Sequence, residues 1–244
     1  ERVYTEALAQ HAKVQEAAAA VIAASTAAIA GAGSVTNRPA AGGRSLSVFN
    51  SLSWERTVLV ELPSRAGAAK DAGGRPVDTQ TVEGKTWAEV SVPSMGWTTL
   101  ALEPASKSGE AGHGVGAASA PAPARAAAEG PLSTGRRVLE NGLLRVAFDG
   151  RGEITSIHDK EADRELAAGP CNALRMYRDV PTAYDAWDVD SMYPLTPVPL
   201  EGRASIEVLD TGPLVARLCI RRRINESDLV QVVSLRRGSR RVDF

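Results

Sequence analysis

The chain is poor in the residue types on which most protein chemistry draws. Its 244 residues include two cysteines and three histidines, and aromatic residues make up only 5%. Cys171 and Cys219 lie far apart and Cys219 sits within an apolar strand pattern, so no disulfide framework is encoded and a reducing, cytoplasmic setting is expected. His11, His113 and His158 show no ligand spacing, and no cysteine cluster joins them, so none reads as a metal ligand. Charge of one sign is missing as well. The 28 Lys and Arg oppose 29 Asp and Glu, a net −1, which removes any global pull toward nucleic acid or an anionic membrane. Neither a Gly-x-Ser-x-Gly elbow nor a phosphate loop occurs. The Ala-rich run 17–30 is weakly apolar, interrupted by Ser25 and Thr26 and bordered by Lys13, Gln15 and Glu16; it is read as no membrane span and no signal peptide.

What remains is a helix followed by strands. Val3, Ala7, Val14, Val21 and Ala28, with Leu8, Ile22 and Ile29, recur at helical spacing, and Gly31 follows as a stop; one helix over 2–30 is predicted. Its Ala-lined face cannot fold alone and calls for packing partners. From Arg44 the period changes to two, with strands predicted near 46–48, 58–62, 86–92 and 97–102, a small antiparallel module. Residues 104–131 are dominated by Ala, Gly, Pro and Ser and cannot bury enough apolar surface to offset ordering entropy, so they read as a linker or insertion. Strands resume at 139–148, 153–158, 173–177, 204–209, 214–224 and 229–235, with Asp149-Gly150-Arg151-Gly152 as a hairpin turn. Many strands with no helices between them predict an antiparallel sandwich. Glu1 opens the chain where a gene would open with methionine, and Arg241-Val242-Asp243-Phe244 still reads as strand; a longer parent is expected.

One loop carries candidate chemistry: Tyr184-Asp185-Ala186-Trp187-Asp188-Val189-Asp190, preceded by Asp179-Val180-Pro181 and followed by Tyr193-Pro194. Carboxylates accept hydrogen bonds from sugar hydroxyls, and an aromatic ring covers the apolar face of a pyranose. The residues alone favour a plainer reading, an acidic surface loop anchored by a buried Trp187. Two of the carboxylates could flank a glycosidic bond, but spacing in sequence does not fix that geometry. Calcium at Asp188 and Asp190 lacks the glycine and closing glutamate of an EF-hand. The basic runs Arg221-Arg222-Arg223, Arg236-Arg237 and Arg240-Arg241 lack interleaved aromatics and read as sheet-edge charge or an interface.

Two further segments are informative: Leu46-Ser47-Val48-Phe49-Asn50-Ser51-Leu52-Ser53-Trp54-Glu55-Arg56, and Leu139-Glu140-Asn141-Gly142-Leu143-Leu144-Arg145-Val146-Ala147-Phe148 running into Gly152-Glu153-Ile154-Thr155-Ser156-Ile157-His158-Asp159-Lys160. In this order they resemble the C-terminal β-region of glycoside hydrolase family 38, the zinc-dependent α-mannosidases. The loop 184–190 is similar to a "WDAWDV"-like stretch in the family's cytosolic and bacterial branch, with Tyr184 where tryptophan is frequent. The resemblance implies a mainly β fold: residues 1–31 from a helical bundle, 44–103 a small β-sandwich, 104–131 a linker, and 132–244 part of a mutarotase-like supersandwich. It implies a retaining hydrolase of α-mannosides or oligosaccharides whose zinc and aspartate nucleophile belong to an upstream catalytic domain. This chain would then hold no catalytic residue and no metal, be inactive alone, and edge the cleft with Asp185, Trp187 and Asp188. Two alternatives stay open: a non-catalytic carbohydrate-binding or assembly sandwich, and part of a polysaccharide lyase, although the Tyr/His/Asn set of a lyase is not seen.

Overall fold

The computed structural model describes residues 2–32, 44–64, 66–104, 132–180, 184, 187 and 189–244. The Ala/Gly/Pro segment lies outside them apart from Pro104. The chain divides into two compact units, Glu1–Gly116 and Ala117–Phe244. The fold is mainly β, with one N-terminal helix and antiparallel sheets, as the sequence predicts.

In the first unit, helix α1 (Arg2–Ala32) is unbroken. Its apolar stripe stays exposed, with Val3, Leu8, Val14, Val21 and Ile22 all more than half accessible. By length and composition Val3–Gly31 is also long and apolar enough to cross a membrane, a property that the sequence reading, weighing alanine as weakly apolar, discounted.

Beyond the helix come β1 (Arg44–Asn50), β2 (Arg56–Glu61), β3 (Ala66–Lys70), β4 (Thr79–Val82), β5 (Lys85–Val92) and β6 (Gly96–Pro104). They form two three-stranded antiparallel sheets, β1-β6-β3 and β2-β5-β4. Alternation turns Leu46 and Val48 of β1 and Leu100 and Leu102 of β6 inward, where they meet Val58, Val60, Ala88, Val90 and Val92 of the other sheet in one core. Strand β3 escaped prediction because alanine and glycine are poor strand formers, and β4 because four residues are too few to display an alternation.

The second unit holds a larger sandwich. One sheet is β11-β10-β9-β8-β7, made from β7 (Ser133–Gly135), β8 (Val138–Glu140), β9 (Leu144–Phe148), β10 (Ile154–Asp159) and β11 (Arg164–Glu165). Two short strands, β12 (Met176–Tyr177) and β13 (Pro197–Val198), pair with each other. The other large sheet runs β14-β15-β16-β17, from β14 (Ser205–Thr211), β15 (Val215–Ile224), β16 (Ser227–Arg236) and β17 (Val242–Asp243). Leu139, Leu144, Val146, Phe148 and Ile154 from the first sheet pack with Ala216, Leu218, Ile220, Val233 and Leu235 from the second.

Two strand predictions need correcting. Residues 139–148 are a hairpin rather than one strand: β8 and β9 pair Leu139 with Val146, and the side chain of Asn141 closes the turn between them. Only Met176–Tyr177 of the predicted strand 173–177 forms. The turn at 149–152 joins β9 to β10 as predicted. Asp149 Oδ1 accepts the amides of Arg151 at 2.8 Å and Glu153 at 2.9 Å. Gly152 holds φ +79°, and a Cβ there would lie 2.4 Å from Ile220 Cγ2, so both backbone and space demand glycine.

Candidate functional site

The loop singled out in the sequence leaves the second unit at Arg178 and returns at Thr196. Its base is a clasp. Strands β12 and β13 pair Met176 with Val198; Arg178 N donates to Thr196 O at 2.9 Å, and Thr196 Oγ1 donates to Arg178 O at 2.7 Å. Tyr177 and Tyr193 meet edge to face, ring centroids 5.1 Å apart at 88°. On the return limb Asp190 accepts through Oδ1 from Met192 N at 3.0 Å, while its own amide donates to Asp179 Oδ1 at 3.2 Å.

Above this clasp the loop presents its aromatic side chains outward. Trp187 is 92% exposed, and its amide donates to Tyr184 O at 2.8 Å. Tyr184 takes φ +59° and is exposed as well. The expectation of a loop anchored by a buried Trp187 is therefore wrong: the Tyr177–Tyr193 pair does the anchoring and the indole stands in solvent. Asp185 and Asp188, the other predicted substrate contacts, lie outside the described residues.

The histidines are dispersed. His11 is exposed on α1, His113 lies outside the described residues, and His158 Nε2 sits 3.2 Å from Asp163 Oδ1. Among the described residues no three His, Cys, Asp or Glu side chains gather as metal ligands would.

The basic runs resolve by strand alternation. On β15, Arg221 and Arg223 face solvent, whereas Arg222 follows Ala216, Leu218 and Ile220 inward. Its Nη1 donates to Glu153 Oε1 at 3.3 Å, while Nε and Nη2 have no hydrogen-bond partner. The oxygen it shares lies 3.5 Å from Arg151 Nε. Arg240 spans Asp159 and Glu161. Backbone donation from Ala162, with the Arg240 guanidinium beside it, keeps the Asp159 carboxyl below its ordinary range although partial desolvation opposes this. The Ser156 hydroxyl, then the amides of Ala167 and Ile157, pull Glu165 down to about 2.

Two buried asparagines stand at strand ends. Asn141 is fully buried: Oδ1 accepts Leu143 N at 2.9 Å and Leu144 N at 2.8 Å, and Nδ2 donates to Arg236 O at 2.7 Å and Ser239 O at 2.8 Å. Asn50 repeats the arrangement in the first unit. Its Oδ1 accepts Leu52 N at 3.0 Å, and its Nδ2 reaches Trp54 O at 2.7 Å, Pro93 O at 3.0 Å and Val92 O at 3.3 Å. An asparagine between a strand end and a small residue was the available signal.

Residues 139–244, from Leu139 in the Asn141 hairpin to the last strand, match the Glycosyl hydrolases family 38 C-terminal domain. The match spans the second unit's large sheets from β8 onward, together with the clasped loop. Two curated proteins, Alpha-mannosidase 2C1 of Mus musculus and of Homo sapiens, are each 28% identical over 178 residues, 70% of this chain. The chain spans 14% of the length of either relative. Among solved structures, an alpha-mannosidase from Enterococcus faecalis V583 aligns with 85% of this chain and 30% of its own at 14% identity, with a TM-score of 0.46.

Proposed function

We propose that this chain is the C-terminal β-region of a zinc-dependent, retaining α-mannosidase of the cytoplasm. In this reading the chain supports a catalytic domain encoded upstream, which holds the zinc and the carboxylates of a retaining glycosidase. The 244 residues alone turn over nothing. The family 38 match over residues 139–244 carries the reading. The mutarotase-like supersandwich belongs to the same proposal.

The loop bearing Trp187 would edge the cleft. A rigidly based loop with an exposed indole can cover the apolar face of a pyranose, and Asp185 and Asp188 can accept from its hydroxyls. An indole left 92% in water by its own domain is consistent with a partner surface there, whether sugar or catalytic domain.

The test uses the full-length parent and an aryl α-mannoside. Turnover that chelation abolishes and zinc restores is expected, with none from the 244-residue chain. In the parent, Trp187→Ala should lower kcat/KM about tenfold or more, about 1.4 kcal/mol of lost transition-state binding. A parent inert toward every α-mannoside overturns the assignment; an unchanged W187A enzyme removes the loop from the cleft.

A further inference from the structure

The first unit carries an aromatic surface that the activity proposed above does not use. In the β1–β6 ladder Phe49 pairs with Trp97 and Ser47 with Thr99. Leu46, Val48, Leu100 and Leu102 point into the core, so by alternation Phe49, Ser47, Trp97 and Thr99 share the outer face. The Trp97 ring stacks on Phe49, centroids 6.2 Å apart at 29°, yet remains 40% exposed. One step along the strands, about 7 Å away, Ser47 Oγ and Thr99 Oγ1 lie 3.2 Å apart. An open indole beside a pair of hydroxyls matches a pyranose, which offers an apolar C–H face and a rim of hydroxyls.

The platform is also fixed in advance. Asn50 ends β1 immediately after Phe49 and binds the carbonyls of Trp54, Val92 and Pro93, while Met95 N donates to Leu52 O at 2.9 Å. The two loops at this end of the sandwich are thereby held together, and 59% of Trp54 stands in solvent beside them. Little ordering entropy is left to lose when a ligand arrives, a condition for useful affinity from a small contact.

We propose that the outer face of the β1–β6 ladder is an accessory carbohydrate site, with Trp97 stacking on a pyranose and Ser47 and Thr99 bonding its hydroxyls. The choice of a mannoside as occupant rests on the function proposed above; the aromatic–hydroxyl chemistry does not.

Indole resonances of the labelled 244-residue chain can be followed during titration with an α-mannobiose and, separately, with sorbitol. The expected result is a saturable shift of the Trp97 indole with mannobiose and none with sorbitol. Trp97→Ala should weaken binding at least tenfold, and Trp97→Phe should recover part of it. The paired change Ser47→Ala with Thr99→Val, which leaves the core untouched, should weaken binding without moving the unfolding midpoint. A Trp97 signal that ignores mannobiose, or responds equally to sorbitol, overturns the proposal. So does a sugar-free parent in which Trp97 resists an indole oxidant that attacks it in the 244-residue chain, because the face would then be a domain contact. These readouts do not depend on hydrolysis, so a parent inert toward mannosides would fail the functional assignment separately.

Discussion

The two sandwiches solve one structural problem with the same side chain in different surroundings. In each, an asparagine at the end of a strand closes its own turn through Oδ1 and donates through Nδ2 to carbonyls across the sandwich. Asn50 joins β1 to Val92 at the end of β5, and Asn141 joins the β8–β9 turn to Arg236 at the end of β16. The packing behind them differs. Behind Asn141 ten of the eleven buried core residues are leucine, isoleucine, valine or phenylalanine, whereas three of the seven buried residues behind Asn50 are alanine. Apolar burial scales with area, so the smaller sandwich draws a larger share of its stability from directional bonds.

The comparison can be broken most severely at Gly152 in the second unit. Gly152→Ala must place a methyl against Ile220 at positive φ and should cost roughly 4 kcal/mol through strain and overpacking. In a denaturant titration only the second unit's transition should move. Asn141→Ala comes next, at about 3 kcal/mol, because it orphans two amides and two carbonyls in a dry site. Asn50→Ala, whose side chain is 8% exposed, should cost about 2 kcal/mol. Its effect should nonetheless be the larger fraction of its own unit's stability; equal fractional losses would refute the argument from core size.

Arg222→Met should change the second unit's stability by less than about 1 kcal/mol in either direction. The substitution removes two unbonded guanidinium nitrogens along with one ion pair, and Arg151 stays beside Glu153. A loss of several kcal/mol would show that the Glu153 pair is a main support of this sheet. The smallest effect is expected at Glu165. Its folded value near 2 lies below the ordinary 4.5, so its contribution is complete above pH 4.5 and fades as the pH falls toward 2. Glu165→Gln should therefore narrow the stability gap to the parent chain across that window; a gap constant from pH 7 to 2 would contradict the shift.

Much of the fold was legible because strand alternation is a local property. Leu144, Val146 and Phe148 read as one face, and all three are buried. The hairpin at Asn141 was misread as a continuous strand because apolar residues flank the turn on both sides, and the asparagine that closes it is itself held by backbone carbonyls 95 and 98 residues away. The inward turn of Arg222 was hidden for the same reason: alternation assigns it the face of Ala216, Leu218 and Ile220, but its buried partner Glu153 lies 69 residues away. At the candidate site, aromatic and acidic character was readable in 184–190, but the exposure of Trp187 was not. The Tyr177–Tyr193 clasp at the loop's base pairs residues 16 positions apart with no periodic signal.

The arrangement at Asn141 also constrains motion. Its carboxamide oxygen holds two amides of one layer while its nitrogen holds two carbonyls of the facing layer, so the turn cannot fray alone without stranding a polar group in the dry interior. The amide protons of Leu143 and Leu144 should therefore resist solvent exchange until the layers separate, and so act as built-in reporters of that opening.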